Sequence, residues 1–516
     1  MADSKRIAKN TLFLYFRMIL IMGVTLYTSR VILDKLGVED YGLYSVVGGV
    51  VGMLSFINGT LSIGTLRFLT YELGKDDKDK LRKTFNTTFY THFALAVILS
   101  LILESAGLWF VYHKLVIPTD RLDAAVITYH ISIITSIILI TQVPYTSLIM
   151  AHERMGIYAY ISILEAFAKL SVVYLIGISR YDKLIVYAIL LAAVQILIAF
   201  IYRIYCIRNF PESKLGFIFN KSIFKSMMGF SGWNVLANLS ETLKNQGYLV
   251  LLNMFFQPVV VAAQTISNQV AGAMMQFIGN FRSAINPQII KYYAVEDYES
   301  SKHLTLSTTV LVFDLVLLLG LPTIFVMNTI MSIWLVEVPA YAVVFTQYVI
   351  INRIISTFDA SFYIPMMAAS KVKTNSLLSV FLGPGSFIVL YVIFKLGGSV
   401  MWLQYISIIT IFIYSFIIKP WILVHEVKGY RFRDLIPCYF ICAKVALSST
   451  ILTYCIYLLI GNSTLKNSIL LFILSASIVC FASYIFMDKG MRKKINDLIL
   501  CKVRILLKNK KLHKNG

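Results

Sequence analysis

About fourteen apolar segments follow one another along this chain, each near the roughly 20 residues that a bilayer crossing needs. They lie at approximately 9–33, 41–66, 86–111, 123–150, 157–178, 184–206, 228–255, 259–285, 304–330, 341–368, 375–396, 399–423, 437–460 and 467–487. Such a chain has few choices. In hydrocarbon every backbone N–H and C=O must find its partner within the protein, which leaves helices or a closed barrel. A barrel shows alternating runs of about ten residues. These runs are longer, unbroken and of helical period, so the expected fold class is an all-α polytopic membrane protein.

Composition agrees, with 58% apolar and only 14% charged residues, against about 25% charged in a soluble domain. The net charge of +21 would suggest nucleic acid in a soluble protein. Here no polar domain carries a basic patch, so a nucleic-acid partner is not expected. The excess has another source, because cytoplasmic loops collect Lys and Arg. With the N-terminus inside, cytoplasmic segments hold roughly 33 basic residues and external loops about 7. The first apolar run is too long for a signal-peptide core and reads as a retained anchor. The tail at 488–516 carries ten Lys/Arg against two Asp, with Ile495, Leu498, Ile499, Val503 and Leu506 on one side. It is expected to lie as a basic amphipathic helix on anionic membrane lipids.

Two adjacent spans carry polar residues at helical spacing. Asn234, Asn238, Glu241 and Asn245 recur on one face of the seventh, and Gln264, Asn268, Gly272, Gly279 and Arg282 on one face of the eighth. Polar seams inside a bilayer need somewhere polar to point. They are expected to line a solvated path for a polar solute. On the second span Gly48, Gly52, Ser55, Gly59 and Ser62 form a small-residue stripe, read as close helix packing or as room for a bulky ligand.

Other signals exclude functions. His152-Glu153-Arg154-Met155-Gly156 lacks the second His of a zinc site, there is no phosphate-binding GxxxxGK[ST] loop, and the six cysteines form no CxxC pair. No metal or cofactor is expected. No loop exceeds roughly 25 residues, which leaves no room for a catalytic domain. Six spans precede and six follow a basic linker, with two more at the end. The expected organisation is an N-terminal lobe at 1–208, a cytoplasmic linker at 209–226, a C-terminal lobe at 227–424, a last helix pair at 437–487 and the tail. Two lobes of like orientation form a parallel repeat, whose interface makes a midplane site.

The run Leu36-Gly-Val-Glu-Asp-Tyr-Gly-Leu-Tyr-Ser-Val-Val resembles the first external loop and second helix of bacterial polysaccharide flippases of the O-antigen (Wzx) type. Ala151-His-Glu-Arg, Asn286-Pro-Gln and Trp334-Leu-Val-Glu-Val-Pro339 support the likeness, which covers essentially the whole chain. That family belongs to the superfamily of multidrug and toxin extrusion (MATE) transporters and lipid II flippases. The first loop departs from it in lacking a Pro after Leu-Gly. The resemblance implies two six-helix lobes working by alternating access in the bacterial inner membrane, and a cargo oligosaccharide on an undecaprenyl-pyrophosphate carrier. Other polysaccharide assembly proteins are the expected partners.

Charges within spans sharpen this. Arg17, Arg282 and Arg353 suit recognition of a pyrophosphate, whose oxygens match the guanidinium fork; snorkelling or structural pairing is the competing reading. Glu241, Asp314 and Asp359 are the candidates for H+ or Na+ coupling. Glu241 is equally readable as a partner of Lys244, three residues on, and Glu165 with Lys169 as a structural pair. Asn234, Asn238, Asn245, Gln264 and Asn268 supply amides for sugar hydroxyls. The competing functions are a MATE-like cation-coupled exporter of small molecules and a membrane glycosyltransferase or polymerase. The missing external loop disfavours the latter.

Overall fold

A computed structural model of the chain describes residues 2–75, 77–369, 371, 373–462, 464–487 and 492, with side chains at all of these except 2–17, 55–60, 63, 229–237, 277, 280, 281, 283, 284 and 287. Among the described residues the regular structure is helical throughout. The first helices are α1 (Ala2–Leu36), α2 (Val38–Gly52), α3 (Ser55–Gly74), α4 (Lys78–Ile102), α5 (Leu108–Lys114), α6 (Leu122–Ala151), α7 (Met155–Ile176) and α8 (Lys183–Asn209). After the linker come α9 (Lys221–Thr242), α10 (Tyr248–Phe255), α11 (Pro258–Ala294), α12 (Tyr298–Phe325), α13 (Met327–Trp334) and α14 (Ala342–Ala368). The chain continues through α15 (Lys373–Lys395), α16 (Trp402–Ile413), α17 (Lys419–Glu426), α18 (Phe432–Ile460) and α19 (Leu465–Phe486).

Single π turns at Leu103–Gly107, Leu243–Gly247 and Tyr414–Ile418 join α4 to α5, α9 to α10 and α16 to α17. Among the described residues, nine helical runs are long and apolar enough to cross a membrane: Lys78–Lys114, Thr119–Ala151, α7, α8, α12, α15, Trp402–Glu426, α18 and α19. The five other expected spans are α1, α2 with α3, α9 with α10, α11 and α14. These are the helices that carry the polar seams, the small-residue stripe and the three intramembrane arginines. The chain is thus a multi-pass membrane protein in which polarity is concentrated on a minority of spans.

One expected span is not a single helix. The stretch read as 41–66 breaks at Met53–Leu54, where the Met53 and Leu54 amides donate to Gly49 and Val51 carbonyls at 2.9 and 3.2 Å. The small-residue stripe is therefore shared by two helices. Gly52 ends the first of them with the Gln246 side chain 3.2 Å from where a Cβ would stand. The expected basic helix of the tail lies outside the described residues.

The chain divides into two compact units. Unit 1 comprises Met1–Asn280, Met331–Asn352 and Lys371–Ile413. Within it α6 packs on α8, α1 on α7, and α3 on both α6 and α9. Its apolar core includes Val46 and Val47 of α2, Tyr129 of α6, Leu251 of α10 and Phe345 of α14. The Leu36–Tyr44 run has a physical explanation here. Gly37 separates α1 from α2 at φ +83°, a conformation that costs a side-chain-bearing residue energy. Gly42 lets the start of α2 approach α11, since a Cβ there would lie 2.0 Å from the Pro258 carbonyl oxygen. Asp40 accepts two hydrogen bonds from Arg121 at 2.9 and 2.6 Å. The Tyr41 hydroxyl accepts from Gln269 Nε2 at 2.7 Å, and Gln269 Oε1 accepts from Ser29 at 2.6 Å. The motif joins helices.

The linker is fastened to the same unit. His152, at the end of α6, lies 2.6 Å from Glu212 through Nε2 and stacks on Phe210 at 4.1 Å between ring centroids. Asn86 and Thr87 of α4 accept from the amides of Gly216 and Asn220.

Unit 2 comprises Phe281–Ile330, Arg353–Ser370 and Tyr414–Gly516. Here α12, α18 and α19 pack on one another. An aromatic cluster fills its interior, with Phe358 centroids 4.7 Å from Tyr439, 5.3 Å from Phe416 and 5.5 Å from Phe313. Pairs of this kind add about 0.5–1.5 kcal/mol each beyond their buried area. They hold α14 beside the π turn that precedes α17.

Candidate functional site

The seam residues of unit 1 form short hydrogen-bonded chains. On α11 the buried Gln264 donates through Nε2 to Asn268 Oδ1 at 3.0 Å, and its Oε1 accepts from Gln404 Nε2 of α16 at 2.6 Å. Helical spacing of four brings the first pair together. Gln404 was not expected from sequence, because a lone Gln in an apolar run carries no periodic signal. On α9 and the π turn after it, Glu241 accepts from Asn245 Nδ2 at 3.0 Å, and both side chains are exposed. Asn238 is half-buried on the same helix. The side chains of Arg17 and Asn234 lie outside those described. Glu165 and Lys169 pair as expected at 2.6 Å, and Glu165 also accepts from Gln195 Nε2 at 3.0 Å.

Unit 2 holds a buried lysine paired with a carboxylate. Lys419, only 3% exposed, places Nζ 3.0 Å from Asp359 Oδ1. The same ammonium lies 4.8 Å from the Tyr363 ring and 5.7 Å from the Tyr414 ring. Burying a lysine is expensive unless its charge is met, and a carboxylate with two aromatic faces meets it. Arg282, half-buried, feels the Asp359 charge as well. The structure thus pairs one predicted residue, Asp359, with a lysine that the sequence did not disclose, and the predicted Arg282 lies within reach of the same charge. A lysine at a span's end reads as a headgroup residue. The π turn at Tyr414–Ile418 closes i→i+5 bonds, and that shift in phase accompanies an inward-facing Lys419.

Arg353 is half-buried, and its Nε is enclosed with no acceptor among the described residues. Its carbonyl accepts from Ser356 Oγ at 2.8 Å. A buried guanidinium N–H without an acceptor costs about 1–3 kcal/mol and is a donor ready for a ligand oxygen. Asp314 stands in a different place. It is buried in a cavity of about 240 Å³ with Leu311 and Leu318 of α12 and Val479 and Ser483 of α19, and its Oδ1 has no donor among the described residues. Of the three coupling candidates, Asp359 is paired with a lysine, Glu241 is exposed and amide-bonded, and Asp314 is enclosed.

No protein-family model matches the chain, and no curated protein matches it in sequence. Solved structures do match in fold. A lipid II flippase, MurJ, in an inward closed conformation superposes with a TM-score of 0.68 at 13% identity, over 95% of this chain and 100% of that one. An inward-facing multidrug resistance MATE family transporter of the MOP superfamily gives 0.64 at 11% identity, over 78% and 97%. The MATE multidrug transporter DinF-BH gives 0.62 at 14% identity, over 82% and 95%. The sequence resemblance and the structural likeness thus meet on one architecture: this chain has the fold of the MOP superfamily of transporters and flippases.

Proposed function

We propose that the chain is a flippase that moves an oligosaccharide linked to undecaprenyl pyrophosphate from the inner to the outer leaflet of the bacterial inner membrane. The two expected six-helix lobes alternate in access, and both termini face the cytoplasm. The observation that carries this reading is the cationic excess of unit 2, buried at Lys419 and half-buried at Arg282 and Arg353. Lys419 pairs there with Asp359, Arg282 feels the same carboxylate, and the Nε of Arg353 has no acceptor among the described residues. Guanidinium forks suit the oxygens of a pyrophosphate, and the amides of Gln264 and Asn268 suit sugar hydroxyls. The MurJ likeness supports the reading, since that protein's named cargo is lipid II. Asp314, buried and with its Oδ1 unmet among the described residues, is the proposed H+ or Na+ coupling residue; Glu241 and Asp359 remain its alternates.

In a strain that displays a surface glycan through this protein, Arg17→Ala and Arg353→Ala are expected to lower glycan display at least tenfold, with unchanged protein in the membrane fraction. Normal display in both variants sinks the cationic-path model. The MATE likenesses favour a second reading, a cation-coupled exporter of small molecules. It predicts that efflux of a fluorescent cation such as ethidium follows this protein's expression and survives Arg353→Ala.

A further inference from the structure

Unit 1 contains a second polar place, separate from the seams of α9 and α11. A cavity of about 410 Å³ opens among α1, α3, α6, α7 and α8. Gln142, Thr146 and Ser147 line it from α6, and Tyr158 and Ser162 from α7. Thr25 of α1, Ser62 of α3 and Tyr202 of α8 complete its polar wall, and polar atoms line it as fully as apolar ones. The Tyr158 and Tyr202 rings lie 6.4 Å apart at a tilt of 38°. Glu165 and Lys169 also face it, closed on each other at 2.6 Å. Gln142 is 7% exposed, and its Oε1 has no donor among the described residues.

A packing defect between membrane helices would be lined by carbon, because leaving a buried amide oxygen unmet costs about 1–3 kcal/mol. This cavity keeps that cost and surrounds it with hydroxyls. Its volume falls within the roughly 300–1,000 Å³ of small-molecule sites. Its charge points to the ligand. The single acid and base on the wall neutralise each other, so it attracts neither phosphate nor a metal cation. What fits a neutral, hydroxyl-rich wall that includes two tyrosines is a polyhydroxylated ring, which has donors and acceptors at its rim.

We infer that this interhelical cavity of unit 1 binds an uncharged mono- or disaccharide, with the Gln142 amide and the Thr146 hydroxyl among its ligands. The choice of a glycan rests on the flippase reading, and the site adds a selector for the neutral sugar that is chemically unlike the cationic cluster of unit 2.

The test uses the full chain in detergent micelles and saturation-transfer NMR with maltose, lactose and N-acetyllactosamine as probes. Transfer to the ring protons of at least one disaccharide is expected, undiminished by added inorganic pyrophosphate. Gln142→Leu and Thr146→Val are each expected to raise the dissociation constant about 3–10-fold, the worth of one neutral hydrogen bond. Thermal unfolding of each variant checks that it is folded. Thr146→Val, which removes only a hydroxyl bonded to the Val143 carbonyl, serves if Gln142→Leu is not. The inference is overturned if no probe shows transfer, if pyrophosphate displaces the sugar, or if folded variants bind as the wild type does. Loss of sugar binding in Gln142→Leu, with glycan display intact in Arg17→Ala and Arg353→Ala, would uphold this site and remove the cationic-path reading.

Discussion

Arg121 bridges two carboxylates in unit 1. Its Nε and Nη2 donate to Asp40, and its Nη1 donates to Asp182. Asp182 also caps α8, accepting from the Leu184 and Ile185 amides at 3.0 and 3.2 Å. Burial raises the pKa of Asp182, but hydrogen bonds from Arg121 and from the cap amides outweigh it, and the carboxyl sits below its ordinary value. Asp40 shares the same guanidinium. Burial dominates there, with Asp182 and Glu39 nearby, and its pKa is raised. The signs are therefore opposite. Asp182 contributes stability that is present above its unfolded pKa near 3.8 and is lost as pH falls through the lower folded value. Asp40 contributes stability that is present below 3.8 and is lost as pH rises through its higher folded value. Asp182→Ala is expected to cost about 2 kcal/mol, roughly 1 for the cap and up to about 1 for the ion pair. Asp182→Asn keeps the cap and costs about half of that. Thermal unfolding in detergent between pH 7 and pH 3 measures both, and Asp182→Asn should flatten the acid limb. Wild-type stability in Asp182→Ala would show that the bridge contributes nothing.

At the level of elements, the π turns divide what sequence could disclose from what it could not. Periodicity exposed Gln264 with Asn268 and Glu241 with Asn245, because each pair sits four residues apart on one helical face. The sequence also marked Asp359 as an intramembrane carboxylate. The partner comes from α17, about sixty positions on, and no local pattern reveals a contact that tertiary packing makes. The same holds for Gln404 against Gln264. The break at Met53–Leu54 escaped notice because both residues are apolar and the run keeps its hydrophobicity across it. The Lys419–Asp359 pair carries a prediction of its own. Removing one member of a buried pair leaves the other uncompensated and costs about 3–5 kcal/mol. Lys419→Met should fall at the low end, about 3 kcal/mol, since the charge of Arg282 still acts on the carboxylate and Asp359 is 29% exposed. The double variant Lys419→Met/Asp359→Leu should recover most of that in thermal unfolding. If it recovers stability but not glycan display, the pair serves transport; if it recovers both, the pair only holds α14 to α17.

For the whole molecule the decisive quantity is orientation, because one inversion would exchange every loop between the two sides. With the nine strongly apolar runs and the five expected polar ones all crossing, the number of crossings is even, and the two ends of the chain are expected to share a side. Loop charge chooses which: segments holding roughly 33 basic residues are expected in the cytoplasm and those holding about 7 outside. The helical run Lys78–Lys114 tests this, since it is long and apolar enough to cross once, which would put its two ends on opposite sides. Both terminal lysines are exposed. In intact cells a membrane-impermeant maleimide is expected to label Lys114→Cys, and to label Lys78→Cys only after lysis. The reverse pattern would put the Arg67–Lys83 segment outside. The polar cavity of unit 1 would then have its α6–α7 turn on the external side, and a cytoplasmic sugar could no longer load there. Labelling of both positions in intact cells would mean that the run does not cross at all, and the even count would fail with it. Labelling of Lys114→Cys alone leaves the Met150 and Tyr158 end of the cavity toward the cytoplasm, the side on which a lipid-linked glycan must be picked up before it is turned over.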